Sequence, residues 1–185
     1  MYAVQPIFRF ADSKQDISMK QEGQTSFENP LPFIKSIKGG LQEGSTITVT
    51  GRVKPEAKRF HVDLQCSSYT AFHFNPRYNK HPGNIVCNTY QRGWGSEEIH
   101  KQELIPPGTE FTLVFQVKPD AYLVTVNGHS LEYVHRLSFQ NVDSISVDGG
   151  IELHSVHIHN PSHTEEGCLL KLVRVLLPCC YQMNK

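Results

Sequence analysis

"AFHFNPR", Ala71 to Arg77, is the stretch on which the fold turns. Side chains alternate along an extended chain, so Phe72 and Phe74 point one way and His73, Asn75 and Arg77 the other. The phenylalanine side is core material. The opposite side carries a row of large polar groups, with Pro76 wedged between Asn75 and Arg77. A strand that merely faces water has no need of that row.

The flanking sequence supplies partners for this strand. Upstream, "STITVTGRV" alternates Ile47 and Val49 with threonines, and "KRFHVDLQC" sets Phe60, Val62 and Leu64 against Arg59, His61, Asp63 and Gln65. Downstream come "NIVCNT", "EFTLVFQVK", "AYLVTVNGHSLEYV" and "DSISVDGGIELHSVHIH". Asn127-Gly128 and Asp148-Gly149-Gly150 supply turn chemistry. No ten-residue window between 29 and 160 carries a helical period. Short strands broken by turn signals predict an all-β fold, an antiparallel β-sandwich of two sheets. About 130 residues are enough for one core between two such sheets.

The two ends read differently. Residues 1–26 are polar, rich in Gln, Ser and Lys, and predict a flexible N-terminal arm ahead of a single domain over 27–160. In the tail, 161–185, Leu169, Leu172, Val173 and Leu176 recur at helical spacing until Pro178. A short helix docked on the domain is expected there; self-association or attachment to a membrane surface is the other use of such a stripe.

Composition narrows the function. Eighteen basic residues balance eighteen acidic ones among 185, with no basic block, which argues against nucleic acid as a partner. No stretch approaches the ~20 apolar residues that cross a bilayer, so no membrane insertion is expected. "MYAVQPIFRFADSKQ" lacks the apolar run of a signal peptide. Cys66, Cys87, Cys168, Cys179 and Cys180 are odd in number and contain no CxxC pair, the pattern of free thiols in a reducing compartment. The chain is therefore expected to be cytoplasmic, with any export to the extracellular space proceeding without a signal peptide.

Neighbouring strands extend the polar face. Arg59, His61 and Asp63 stand on one strand, His73, Asn75 and Arg77 on the next, and Asn88 follows the apolar "IVC". "QRGWGSEE" then brings Trp94, the sole tryptophan, and Glu97. An indole in a Gly-flanked loop could simply cap a sandwich edge. Beside imidazole, carboxamide, guanidinium and carboxylate groups, it also suits a ligand with one apolar face and many hydroxyls. Sugars have that character, and galactose presents its C–H groups as one continuous patch.

"HFNPR", "VCNT" and "WGSEE", together with "GGL", "VNG", "HR" and "SVDGG", resemble the carbohydrate-recognition domain of galectins over about residues 29–160, with a galectin-type jelly roll implied. The resemblance is strongest to tandem-repeat galectins. It implies a carbohydrate-binding lectin for β-galactosides on glycoproteins or glycolipids. His73, Asn75 and Arg77 would hold the galactose 4-hydroxyl, Asn88 and Glu97 the 6-hydroxyl side, and Trp94 would stack on the ring. Arg77 and Glu97 would also reach a second sugar. Each motif occurs once, so one site is expected, and cross-linking would call for a noncovalent homo-oligomer or a longer isoform.

The chain departs from the family pattern at Ile99, where galectins commonly carry arginine, and a charge-assisted donor to the second sugar is lost. Arg59 and His61 match positions from which a relative meets anionic galactosides, with histidine standing where that relative has glutamine. The alternative function is a galectin-fold protein with weak or no sugar binding that acts through protein contacts.

An enzyme is not expected. Glu97 and Glu98 are adjacent and point to opposite faces, and nearby Arg59 and Arg77 are expected to keep Asp63 and Glu97 ionised, leaving no general acid. No G-x-S-x-G nucleophile occurs. His157 and His159 share a strand face, but two ligands are too few for zinc, so neither a metal nor another cofactor is expected.

Overall fold

The computed structural model describes residues 29–161. The expected N-terminal arm, the tail helix and Cys168, Cys179 and Cys180 lie outside those residues.

Alternating apolar residues build two antiparallel sheets. The strands are β1 (Phe33–Ser36), β2 (Thr46–Val53), β3 (Phe60–Cys66), β4 (Tyr69–Arg77), β5 (Asn84–Tyr90), β6 (Glu98–His100), β7 (Glu110–Val117), β8 (Ala121–Val126), β9 (His129–Val134), β10 (Ser144–Gly149) and β11 (Ile151–His159). One sheet has the order β1-β10-β3-β4-β5-β6, the other β11-β2-β7-β8-β9. Helical structure among the described residues is limited to a 3-10 turn, Phe139–Asn141. The all-β sandwich expected from the alternation is the fold observed.

Turn chemistry sets the joins. Asn127 and Gly128, with φ of 45° and 88°, form the two-residue link between β8 and β9, where both positions need a left-handed backbone. Gly149 ends β10 at φ +116°, and a Cβ there would come within 2.6 Å of Phe60 Cα. Only glycine lets β10 pass so close to β3 before the chain turns into β11.

The core is aromatic where it lies behind the polar row. Phe72 stacks between Tyr122 and Tyr133, with centroids 5.1 and 4.5 Å away, and Phe74 meets Phe115 edge-on at 5.7 Å. All five rings are fully buried. Burying rings of this size contributes about 1.5–3 kcal/mol each and holds the middle of β4 in place. Register then sets the outer face. Asp63 pairs with His73 and His73 with Asn88, so β3, β4 and β5 deliver one polar row across the sheet.

Candidate functional site

The outer face of β3, β4 and β5 forms a groove of about 440 Å³. All eight residues singled out in the sequence line it: Arg59 and His61 from β3 and the turn before it, His73, Asn75 and Arg77 from β4, Asn88 from β5, and Trp94 and Glu97 from the loop before β6.

Pro76 explains how the row is fixed. The register that pairs Val62 with Phe74 and Arg59 with Arg77 brings Phe60 opposite Pro76, at a position where the ladder expects a backbone donor. Proline has none, and the Phe60 carbonyl would be left without its bond. Asn75 Nδ2 fills the gap, donating to that carbonyl at 2.5 Å. Its Oδ1 accepts from Arg77 Nε at 2.7 Å, and Arg77 Nη2 donates to Glu97 Oε1 at 2.9 Å. One missing N–H thus orients a chain of groups from the sheet backbone to the rim. Asn75 is only 2% exposed, so its polar atoms must be bonded, and they are.

Asn88 anchors the other wall. It is 3% exposed, and its Oδ1 accepts from Thr89 N at 2.8 Å and Arg136 Nη1 at 3.3 Å. Its Nδ2 donates to Gly95 O at 2.9 Å, which ties the tryptophan loop to β5. Arg136 completes the latch by donating to Ser96 O at 2.7 Å, with its guanidinium 4.9 Å from the Tyr133 ring centroid. A Cβ on Gly95 would stand 3.2 Å from both Arg136 Nη1 and Asn88 Oδ1, so the latch closes tightly on glycine.

Trp94 is held but not covered. The residue is 56% exposed, and its ring lies 4.7 Å from His73 and 5.3 Å from Tyr90. A tryptophan capping an edge would be buried; this one presents its ring beside the polar row. His73 is oriented from behind by Asp63, whose Oδ1 lies 2.5 Å from Nδ1. A carboxylate partner there accepts from the Nδ1 proton and turns Nε2 toward the groove.

The carboxylates have different partners: Arg77 pairs with Glu97, and the groups directly against Asp63 are the histidines His61 and His73. His61 lies two residues before Asp63 on the same strand face, and His73 is its cross-strand neighbour. Arg59 makes no ion pair among the described residues.

Two anchors, Asp63 and Arg136, were not among the site residues expected from the sequence. Asp63 stood on the right strand face, but its role depends on register. Arg136 comes from the loop after β9 and had only the "HR" pair to mark it. Ile99 is 49% exposed on β6, beside Val86. Cys87 and Cys66 are buried free thiols, and burial pushes both pKa values up.

The model for the family described as "Galactoside-binding lectin" matches residues 32–158. The chain is 40% identical over 140 residues to galectin-4 of Rattus norvegicus, covering 72% of this chain and 43% of that protein. It is 36% identical over 130 residues to galectin-3 of Oryctolagus cuniculus, covering 68% and 54% respectively. The chain thus spans about half the length of these curated relatives. Among solved structures, the Caenorhabditis elegans galectin LEC-6 superposes with a TM-score of 0.67 at 26% identity, over 72% of this chain and 94% of that one. Sheep galectin-11, in complex with glycerol, gives 0.64 at 28% identity, over 71% and 99%. A family match across most of the domain, relatives at this identity and the same two-sheet architecture agree: the chain belongs to the galectins, the galactoside-binding lectins.

Proposed function

We propose that this chain is a lectin that binds β-galactosides in the groove across β3, β4 and β5. The observation that carries the reading is Trp94, 56% exposed yet latched beside a row of interlocked polar side chains. An aromatic plane next to fixed donors and acceptors matches the C–H face and hydroxyls of galactose.

The 4-hydroxyl donates its one proton to Asn75 Oδ1, accepts from the Arg77 guanidinium and meets His73 Nε2. The 6-hydroxyl takes the second hydrogen of Asn88 Nδ2, the first being committed to Gly95, and donates to Glu97. The ring's C–H face packs on Trp94. A following sugar meets the Arg77–Glu97 pair, whose 2.9 Å bond holds both groups in one orientation. Since Asn75, Asn88 and Asp63 are already ordered, binding costs little further side-chain entropy.

The role is recognition rather than catalysis. Asp63 is committed to histidines and Glu97 to Arg77, so both carboxylates serve to position neighbours. The domain acts through a single site, on glycans of glycoproteins or glycolipids.

The test is retention on immobilised lactose with elution by free lactose, followed by calorimetric titration. Retention reversed by lactose and not by sucrose is expected. A folded protein that passes straight through would overturn the reading in favour of protein contacts.

A further inference from the structure

An edge strand carries unpaired backbone groups and accepts a strand from another chain unless something blocks it. β1 ends one sheet and β11 the other, and Lys35 of β1 reaches across to β11. We propose that Lys35 guards the β11 edge, and that loss of its charge lets a second copy of this chain pair there, β11 against β11.

Register fixes which backbone groups the edge presents. Val53 N donates to Thr109 O and Val117 N to Ser45 O, so the odd-numbered residues of β2 face β7. Ile47 and Val49 belong to that set, and their partners on β11 are Ile158 and Val156. In such a pair neither residue bonds the other. Val156 and Ile158 therefore turn both N–H and C=O toward the open edge, as Leu153, opposite Gly51, does.

Three carbonyls along β11 are already occupied from that side. Asn29 N donates to Leu153 O at 2.9 Å, and Asn29 Nδ2 to His154 O at 2.7 Å, where the strand bulges. Lys35 Nζ donates to Val156 O at 3.0 Å. Phe33 packs on the core, so Lys35, two residues on and opposite the fully buried Ile145, leaves β1 on the core side. An ammonium can start from there only because its stem crosses the open side of the sandwich to an acceptor on the other sheet. Inward-pointing charge on an edge strand blocks the approach of a further strand. The far end of the six-stranded sheet has the same device: Glu98 of β6 lies opposite the buried Cys87, and its Oε1 is 3.1 Å from His100 Nε2.

Symmetry names the occupant. Placed antiparallel about His157, β11 sets Val156 against Ile158 of a second copy and Ile158 against that copy's Val156. The edge-facing groups then form four bonds, a self-complementary ladder such as a two-fold axis requires. Two of the four end on a Val156 carbonyl, the group that Lys35 holds. Pairing would strip both lysines of their acceptor and bring two ammonium groups to one interface.

The experiment compares the full chain with Lys35→Met, Lys35→Arg and Lys35→Met combined with Ile158→Pro. Lys35 is exposed, so its replacement leaves the core intact. Ile158→Pro removes an edge-facing N–H without costing a bond to β2. Sedimentation equilibrium across a wide range of protein concentration gives the mass, and hydrogen exchange by NMR reads the Val156 and Ile158 amides. The wild type and Lys35→Arg should be monomers. Lys35→Met should associate about tenfold or more tightly, into a dimer in which both amides exchange slowly. Adding Ile158→Pro should return it to monomer. Overturning results for the guard are a Lys35→Met chain that associates no more than the wild type, or a wild type already paired through β11. A dimer that survives Ile158→Pro, or whose two amides still exchange fast, joins by another surface and overturns the pairing across β11. Slow amides in a monomer would show that residues ahead of Asn29 had taken the edge, and would overturn the second copy as its occupant.

Discussion

The two sheets share one core yet present opposite kinds of outer surface. On the five-stranded sheet, Thr46, Thr48 and Thr50 of β2 are partly exposed, and local hydroxyl pairs such as Thr50–Ser155 and Thr125–Ser130 complete the picture. On the six-stranded sheet, Asp63, Asn75, Asn88 and Ser146 are all under a tenth exposed. The bonds of Asp63, Asn75 and Asn88 run between strands and out to loops. Desolvating polar groups is costly unless every one finds a partner. A face that buries them in such density is organised for something other than facing water. The difference separates polar residues that merely tolerate solvent from polar residues that are part of the architecture.

The widest gap between the faces should appear in stability. Asn88→Ala removes the acceptor for Thr89 N and Arg136 and the donor to Gly95, and should cost about 2–4 kcal/mol of unfolding free energy. Thr48→Ala on the opposite sheet should stay within about 0.5 kcal/mol. Urea unfolding of both variants checks this, and equal losses would erase the distinction between the faces.

Trp94→Ala separates architecture from recognition within the groove itself. More than half exposed, the indole contributes little to the core, so the unfolding midpoint should hardly move. Lactose affinity should fall about thirtyfold, roughly 2 kcal/mol, through loss of the stacking surface. A large fall in thermal stability would mean that Trp94 is structural after all.

Ile99→Arg probes the rim. Position 99 is half exposed on β6, with room for a longer side chain. The added cation should tighten lactose by up to about tenfold, since a charge-assisted bond gains about 1.5–3 kcal/mol before the cost of ordering the side chain. Methyl galactoside, which lacks the second sugar, should change little. An equal gain for both ligands would show that the rim acts on the whole groove.

The smallest effect is the subtlest. Pro76→Ala restores a backbone donor opposite the Phe60 carbonyl, which then competes with Asn75 for it. Stability should remain within about 1 kcal/mol, because one bond replaces another. Lactose affinity should drop about threefold as Asn75 and Arg77 lose their fixed orientation. Slow hydrogen exchange of the new amide at position 76 would show that the ladder had closed; unchanged affinity despite that closure would remove Pro76 from the account of the groove.

Much of this was legible from the strand "AFHFNPR" because a period of two assigns faces without any knowledge of neighbours. The phenylalanines went inward, the polar row outward, and the Gly-flanked tryptophan stood out by composition. What remained hidden was register. That Asp63 meets His73 depends on which residue of β4 lies opposite it, and no spacing within β3 encodes that. Arg136 was hidden for the same reason: it reaches Asn88 across 48 positions of sequence, and only the closed sandwich joins them. The capping of the Phe60 carbonyl by Asn75 needed both a register and a proline, so the motif could be seen long before its cause.

That cap also bears on how galectin-like sequences should be interpreted. Asn75 closes a gap in the ladder, Asn88 fastens a loop, and Asp63 satisfies a buried row, so all three are wanted by the sandwich whether or not a sugar ever arrives. A descendant of this protein that abandoned its ligand would be slow to shed them, since each loss would loosen the fold. Trp94 and the Arg77–Glu97 pair stand more open to solvent and would drift first. The asparagines in such a chain therefore speak for its ancestry, and the exposed tryptophan for its present occupation.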